Sequence, residues 1–99
     1  MNTNMTIERD EDGTRIICSG EFNAARAIAI EQLLGQSMTR RGQETLVLTH
    51  VTTMDITGIR LAYAWRRALE LQNRNAKVVL PASGVIGNLL ERTGIAKLF

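Results

Sequence analysis

Apolar and polar positions along the chain switch between a two-residue and a helical period, and the switches mark the elements. MTIE at 5–8 and TRIICSG at 14–20 are short apolar runs on either side of a charged RDEDG tract. Asp12–Gly13 between them predicts a hairpin. GEFN at 20–23 leads into AARAIAIEQLLGQSM, where Ala27, Ile30, Leu34 and Met38 recur at helical spacing and Leu33 broadens the stripe. Asn23 is a favoured N-cap residue, and the helix is expected to end near Gly35 or in the MTRRG that follows. TLVLTHV at 45–51 is rich in β-formers and reads as a buried strand that closes at His50. From Thr57 to about Arg74 the period is helical again. KVVLP at 77–81 reads as another short buried strand, stopped by Pro81. Ser83 can cap a last helix carrying Val85, Ile86, Leu89, Leu90 and Thr93, with Gly94 as its C′ residue.

The element order is therefore β-β-α-β-α-β-α. Strands alternating with helices imply right-handed crossovers and a largely parallel sheet, to which the opening hairpin adds one antiparallel strand. The class is α/β: one domain over 1–99, its core from about residue 5 to 99, with helices packed on a mixed sheet. Ninety-nine residues leave no room for a second core.

Composition narrows the function classes. With one Trp, one Tyr and two Phe, the core must be built mainly of Ile, Leu, Val and Ala. Twelve basic against ten acidic residues leave a charge of +2, and the basic residues are dispersed, with Arg40–Arg41 and Arg66–Arg67 as pairs. Nucleic-acid binding is not expected from so small a surplus. No apolar run approaches the roughly 20 residues of a membrane span. The N-terminal MNTNMTIERDEDG is polar and acidic, so neither a signal nor a transit peptide is expected. Cys18 is the single cysteine; it cannot pair within the chain or build a zinc site, which fits a reducing, cytoplasmic setting.

Catalytic constellations are hard to assemble. His50 is the one histidine, and a lone histidine at a strand end is more often structural than a general base. There is no Walker-type loop, GxGxxG or GxSxG. GVIGN at 84–88 falls inside the last helix and lacks the lysine of a phosphate loop. RDEDG lacks calcium-loop spacing. No enzyme activity, metal or cofactor is expected.

MDITG at 54–58 is the motif that carries chemistry: an acid, a hydroxyl and a glycine where a strand hands over to a helix. With its flanks, LVLTHVTTMDITGIRLAYAW, and with KVVLPASGVIGNLLERTGIAKLF, it resembles the STAS domain of bacterial anti-sigma factor antagonists and sulfate-transporter tails. Asp55, Ile56, Thr57, Gly58 and Ile59 match that family's Asp-Ser-Ser/Thr-Gly-Leu. GEFN resembles its Gly-Glu-Leu-Asp turn, and LLERTGIAKLF its closing helix and Leu-Phe. There are departures. Asn23 replaces an aspartate, Val47 stands where an acidic residue is frequent, and Arg60 where a small one is. Above all, the family's phosphoacceptor position is held by Ile56.

The resemblance implies a partner anti-sigma factor with a kinase-like fold, docking on this turn and the outer side of the following helix. Phosphorylation there places nearly two negative charges at a helix N-terminus and dislodges the partner. Ile56 has no hydroxyl for that switch. Thr57 is an alternative phosphosite, although a helical wheel turns it inward, where a local backbone bond is its expected fate; Ser83 lies near the same edge. Asp55 suits an N-cap accepting from the N–H of Thr57 or Gly58.

On the same wheel Leu61, Ala62, Trp65, Ala68 and Leu69 share a sheet-facing side, and Tyr63, Arg67, Glu70 and Arg74 lie opposite. Ile56, Arg60, Tyr63 and Arg67 form an outer line at i, i+4, i+7 and i+11. This line is either a solvated basic face with an isolated aliphatic residue or a partner-binding edge. The expected partner-binding residues are Asp55, Ile56, Thr57, Gly58, Arg60, Tyr63 and Arg67, with Glu21 and Asn23 on the neighbouring turn. Burying an isoleucine is worth about 1.5–3 kcal/mol, which matters in a micromolar interaction of roughly 8 kcal/mol. The leading expectation is an anti-sigma factor antagonist-like binding module that lacks the serine switch. The alternative is an accessory subunit binding the ATPase of a phospholipid ABC transporter. Nucleotide or lipid sensing, which the resemblance also allows, has no pocket motif here.

Overall fold

The computed structural model describes residues 4–9, 13–37, 42–82 and 84–99. The elements run β1 (Asn4–Arg9), β2 (Gly13–Phe22), a 3-10 turn (Ala24–Arg26), α1 (Ala27–Ser37), β3 (Gln43–Met54), α2 (Ile56–Leu71), β4 (Ala76–Val79), α3 (Gly84–Arg92) and a closing 3-10 turn (Ile95–Leu98). The expected β-β-α-β-α-β-α order is the one observed. One mixed sheet is ordered β1-β2-β3-β4; β1 is antiparallel to β2, with Met5 opposite Cys18 and Ile7 opposite Ile16, and β2, β3 and β4 are parallel. Of the hairpin signal Asp12–Gly13, Asp12 lies outside the described residues, as do Met38 and the proposed cap Ser83.

Sequential strand order joined by right-handed crossovers sets α1 and α2 on the same side of the sheet. Strand alternation supplies that side with Ile16 and Cys18 from β2 and Leu46 and Leu48 from β3. Ile30 and Leu34 of α1, and Ala62, Trp65 and Leu69 of α2, complete one buried core. Hydrophobic burial of this aliphatic layer holds the fold together, at about 1.5–3 kcal/mol for each large side chain removed from water. Cys18 belongs to it: fully buried, its thiol is pushed up to about 12 by desolvation, so it is a packing residue and not a nucleophile. At the alternate positions Thr6, Glu8, Arg15 and Lys77 are exposed on the opposite side, whereas Val47 there is buried and Ile17 and Val79 are half-buried.

Several boundaries differ from those expected. β3 does not close at His50 but continues to Met54, because its upper half pairs with Ser19–Phe22 of β2 through two register shifts. His50 is an exposed mid-strand residue beside the Thr49 hydroxyl. β4 is a half-buried edge strand, since its outer side has no neighbouring strand. α2 stops at Leu71 rather than near Arg74. Asn73 takes φ 58°, and the N–H groups of Asn73 and Arg74 donate back to Glu70 and Leu69, a left-handed cap in which asparagine replaces the usual glycine. On α3 the apolar stripe is only partly inward: Leu90 and Gly87 are buried, but Val85 and Leu89 are exposed. GVIGN is helical as expected, and Gly87 packs on the Pro81–Ala82 backbone. Gly94 takes φ 75° just past α3.

Candidate functional site

The C-terminal ends of β2 and β3 lie side by side, with Glu21 opposite Thr53 and Phe22 opposite Met54. This register brings the GEFN turn against MDITG, so two motifs some thirty residues apart form one junction. Asp55 has extended backbone and caps α2: its Oδ1 accepts from the Gly58 N–H at 2.9 Å. Its Oδ2 accepts from the Ala24 N–H at 3.0 Å, at the start of the 3-10 turn. One carboxylate thus satisfies orphan donors at the heads of two helical segments. The Ala24 bond, then the Gly58 bond, hold the Asp55 carboxyl below its ordinary range. The second bond could not be read from the sequence, because it depends on the register between β2 and β3. Asn23, by contrast, occupies the cap position of the 3-10 turn without a side-chain capping bond; its shielded Oδ1 accepts no hydrogen bond among the described residues. Asp55 performs the capping expected of Asn23.

A folded-state pKa lowered in this way contributes stability above the unfolded value of about 3.9, and that stability is lost as pH falls through the folded value. Asp55→Ala is therefore expected to cost about 1–2 kcal/mol at pH 7. Urea unfolding should show the gap between variant and parent closing as pH falls below the ordinary carboxylate range. A gap independent of pH would mean that the carboxylate charge is not what caps the junction.

Gly58 is buried against the end of β2, where an added Cβ would meet the Phe22 carbonyl. Acid and glycine in MDITG are thus explained locally, by capping and by close backbone approach. Thr57 between them is half-buried, and Ile56, the first residue of α2, is 55% exposed. The outer line has the geometry its spacing predicts: Arg60, Tyr63 and Arg67 are exposed with Ile56. Neither Arg60 nor Arg67 forms an ion pair among the described residues. Glu21 is half-buried and pairs with Arg26 at 3.5 Å.

Tyr63 also meets the Phe99 ring edge-on, with centroids 6.1 Å apart. Arg66 donates to the Leu98 carbonyl at 3.3 Å and lies 3.7 Å from Glu70. The closing 3-10 turn is thereby fastened along one flank of α2. Arg74 is not on the outer face. It follows the left-handed cap, and its Nη2 pairs at 2.7 Å with Oε1 of Glu44, which is fully buried. Alternation puts Glu44 on the same face as Leu46 and Leu48, but a charged residue ahead of an apolar run reads as a solvated strand end, and this pair was missed. It lies at the other end of β3 from MDITG. Between α1 and α2, an open cleft of about 370 Å³ is lined by Glu31, Leu34, Gly35, Leu61, Ala64, Trp65 and Ala68. Among the described residues there is no cluster of side chains suited to a metal, and no helix long and apolar enough to cross a membrane.

No protein-family model matches the chain, and no curated protein matches it. Solved structures do. An anti-sigma factor antagonist from Mycobacterium paratuberculosis superposes with a TM-score of 0.82 at 21% identity, over 99% of this chain and 83% of that one. The anti-sigma factor antagonist SpoIIAA in its unphosphorylated form gives 0.66 at 15% identity, over 96% of this chain and 97% of the other. Mglu gives 0.66 at 25% identity, but the match spans 77% of this chain and only 19% of that protein. The chain has the STAS fold of the anti-sigma factor antagonists.

Proposed function

We propose that the chain is a non-catalytic regulatory module of the cytoplasm that binds an anti-sigma factor with a kinase-like fold through residues 54–67. Asp55 and Gly58 hold the turn, Ile56 and Tyr63 supply apolar contact, and Arg60 and Arg67 select an acidic surface. Glu21, Asn23 and Thr57 border the footprint. The observation that carries the reading is the exposure of Ile56 at the head of α2, in line with two arginines that form no ion pair among the described residues, on a fold shared with anti-sigma factor antagonists. Where a hydroxyl would allow a phosphate to end docking, Ile56 offers a contact that no kinase can remove, so occupancy is set by the abundance of the two proteins.

Co-purification of the tagged chain followed by calorimetric titration tests this. Ile56→Asp is expected to raise the Kd for the recovered anti-sigma factor about 10- to 100-fold, the equivalent of a buried isoleucine. Incubation with that factor and ATP should leave the intact mass unchanged. Recovery of a transporter ATPase and no anti-sigma factor would replace the reading with that of a transporter accessory subunit. Phosphate transfer to Thr57 or Ser83 would restore a switch.

A further inference from the structure

Of the four glycines in the described helices, Gly84 takes φ 77° at the head of α3, and the other three separate by what surrounds them. Added Cβ atoms at Gly58 and Gly87 would run into backbone, so the fold requires both. At Gly35 nothing lies within 4 Å of such an atom. Packing gives no reason for a residue that weakens a helix there. Gly35 lines the cleft between α1 and α2, across from Ala64 and Ala68, with Trp65 and Leu34 as its buried floor. The cleft lies at the lower end of the range that seats small ligands, about 300–1,000 Å³. The lining carries one charged residue, Glu31, and two arginines of α2 lie next to the cleft without lining it. Ala64 is bracketed on α2 by Arg60 four residues before it and Arg67 three after, both exposed and without ion pairs among the described residues. Glu31 stands on the α1 lip.

We infer that the cleft receives an apolar anchor side chain from the docking partner, flanked by carboxylates that reach Arg60 and Arg67. Glu31 repels those carboxylates from α1 and so fixes the direction in which the partner segment lies. The inference rests on the docking role proposed above and extends its footprint from the outer line of α2 towards α1. An apolar anchor filling a pocket beside charged neighbours is the arrangement in which a few residues carry most of an interface's energy.

The probe is the tripeptide acetyl-Asp-Phe-Glu-amide, titrated at millimolar concentration into the full chain. Trp65, the single tryptophan, reports by emission, and amide shifts map the site. Saturable shifts at Gly35, Ala64, Ala68 and the Trp65 indole are expected, with acetyl-Lys-Phe-Lys-amide binding about tenfold more weakly. Gly35→Leu fills the cleft and strengthens the helix, so it should raise Tm while abolishing the shifts; Ala64→Leu should abolish them at unchanged Tm. Equal binding of both peptides, or shifts that persist in both variants, would overturn the anchor. With the recovered anti-sigma factor, Ala64→Leu should weaken binding about tenfold. Binding that withstands Ala64→Leu but not Ile56→Asp removes the anchor and leaves the docking role. Binding that withstands both removes the docking role itself, and the peptide titration then decides the cleft alone.

Discussion

Arg74→Met is expected to destabilise the protein by about 3–5 kcal/mol, the usual consequence of stranding one member of a buried ion pair. Glu44 is fully buried on β3 and Arg74 is 12% exposed, with 2.7 Å between the paired atoms. The two partners are not equivalent. Glu44 is fixed in a strand paired on both sides, whereas Arg74 follows the end of α2 and has a long side chain near solvent. Removing the acid lets the guanidinium swing into water; removing the base leaves a carboxylate with nowhere to go. Glu44→Leu should therefore cost less than Arg74→Met. The double variant should recover most of the loss, because replacing a whole buried pair by apolar groups is often neutral or better. Urea unfolding of the two single variants and the double variant decides it. A loss below about 1 kcal/mol for Arg74→Met would put the pair among weak surface bridges.

Gly58→Ala sets two effects against each other. Alanine is the better helix former by about 1 kcal/mol, so on propensity alone the variant gains. Yet the new Cβ would fall on the Phe22 carbonyl oxygen, 2.9 Å from its carbon and 3.0 Å from Cδ1 of the Phe22 ring. Phe22 is fully buried at the end of β2 and paired with β3, so it has no room to retreat. Relief must come from α2 lifting away, which also stretches the bond from the Ala24 N–H to Asp55. Overpacking of this kind costs about 1–3 kcal/mol and sometimes more, and here a second interaction goes with it. A net loss of about 2–4 kcal/mol is expected, out of the roughly 5–15 kcal/mol that a domain of this kind has. A melting temperature at or above that of the parent would show that propensity wins and that the close approach is not tight.

These two sites also mark what was legible in the sequence. The sequence pattern placed the four strands and three α-helices but not the two 3-10 turns, since an amphipathic helix and an apolar strand write their burial into the chain. The exposure of Ile56, Arg60, Tyr63 and Arg67 followed from the same arithmetic. Ends were less legible. The end of α2 at Leu71 depends on Asn73 adopting a left-handed conformation, which an asparagine does only where context favours it. The reach of β3 to Met54 depends on register shifts with β2. Asp55 was identified as a cap, but its second donor, Ala24, is thirty-one residues away and is supplied by strand pairing. Glu44 was missed for a related reason: a charged residue on a core-facing position looks like a solvated one until its partner from a distant turn is known. Local chemistry was legible; the tertiary bonds that complete it were not.

The sheet is built so that its strands follow one another in order, and this has a practical consequence. Thr6, Glu8, Arg15 and Lys77 share a surface separated from the helical layer by the full thickness of the sheet. Dyes, immobilisation linkers or solubilising charges placed there would leave the helices untouched, so this surface is the handle by which the molecule can be held while its other side is interrogated.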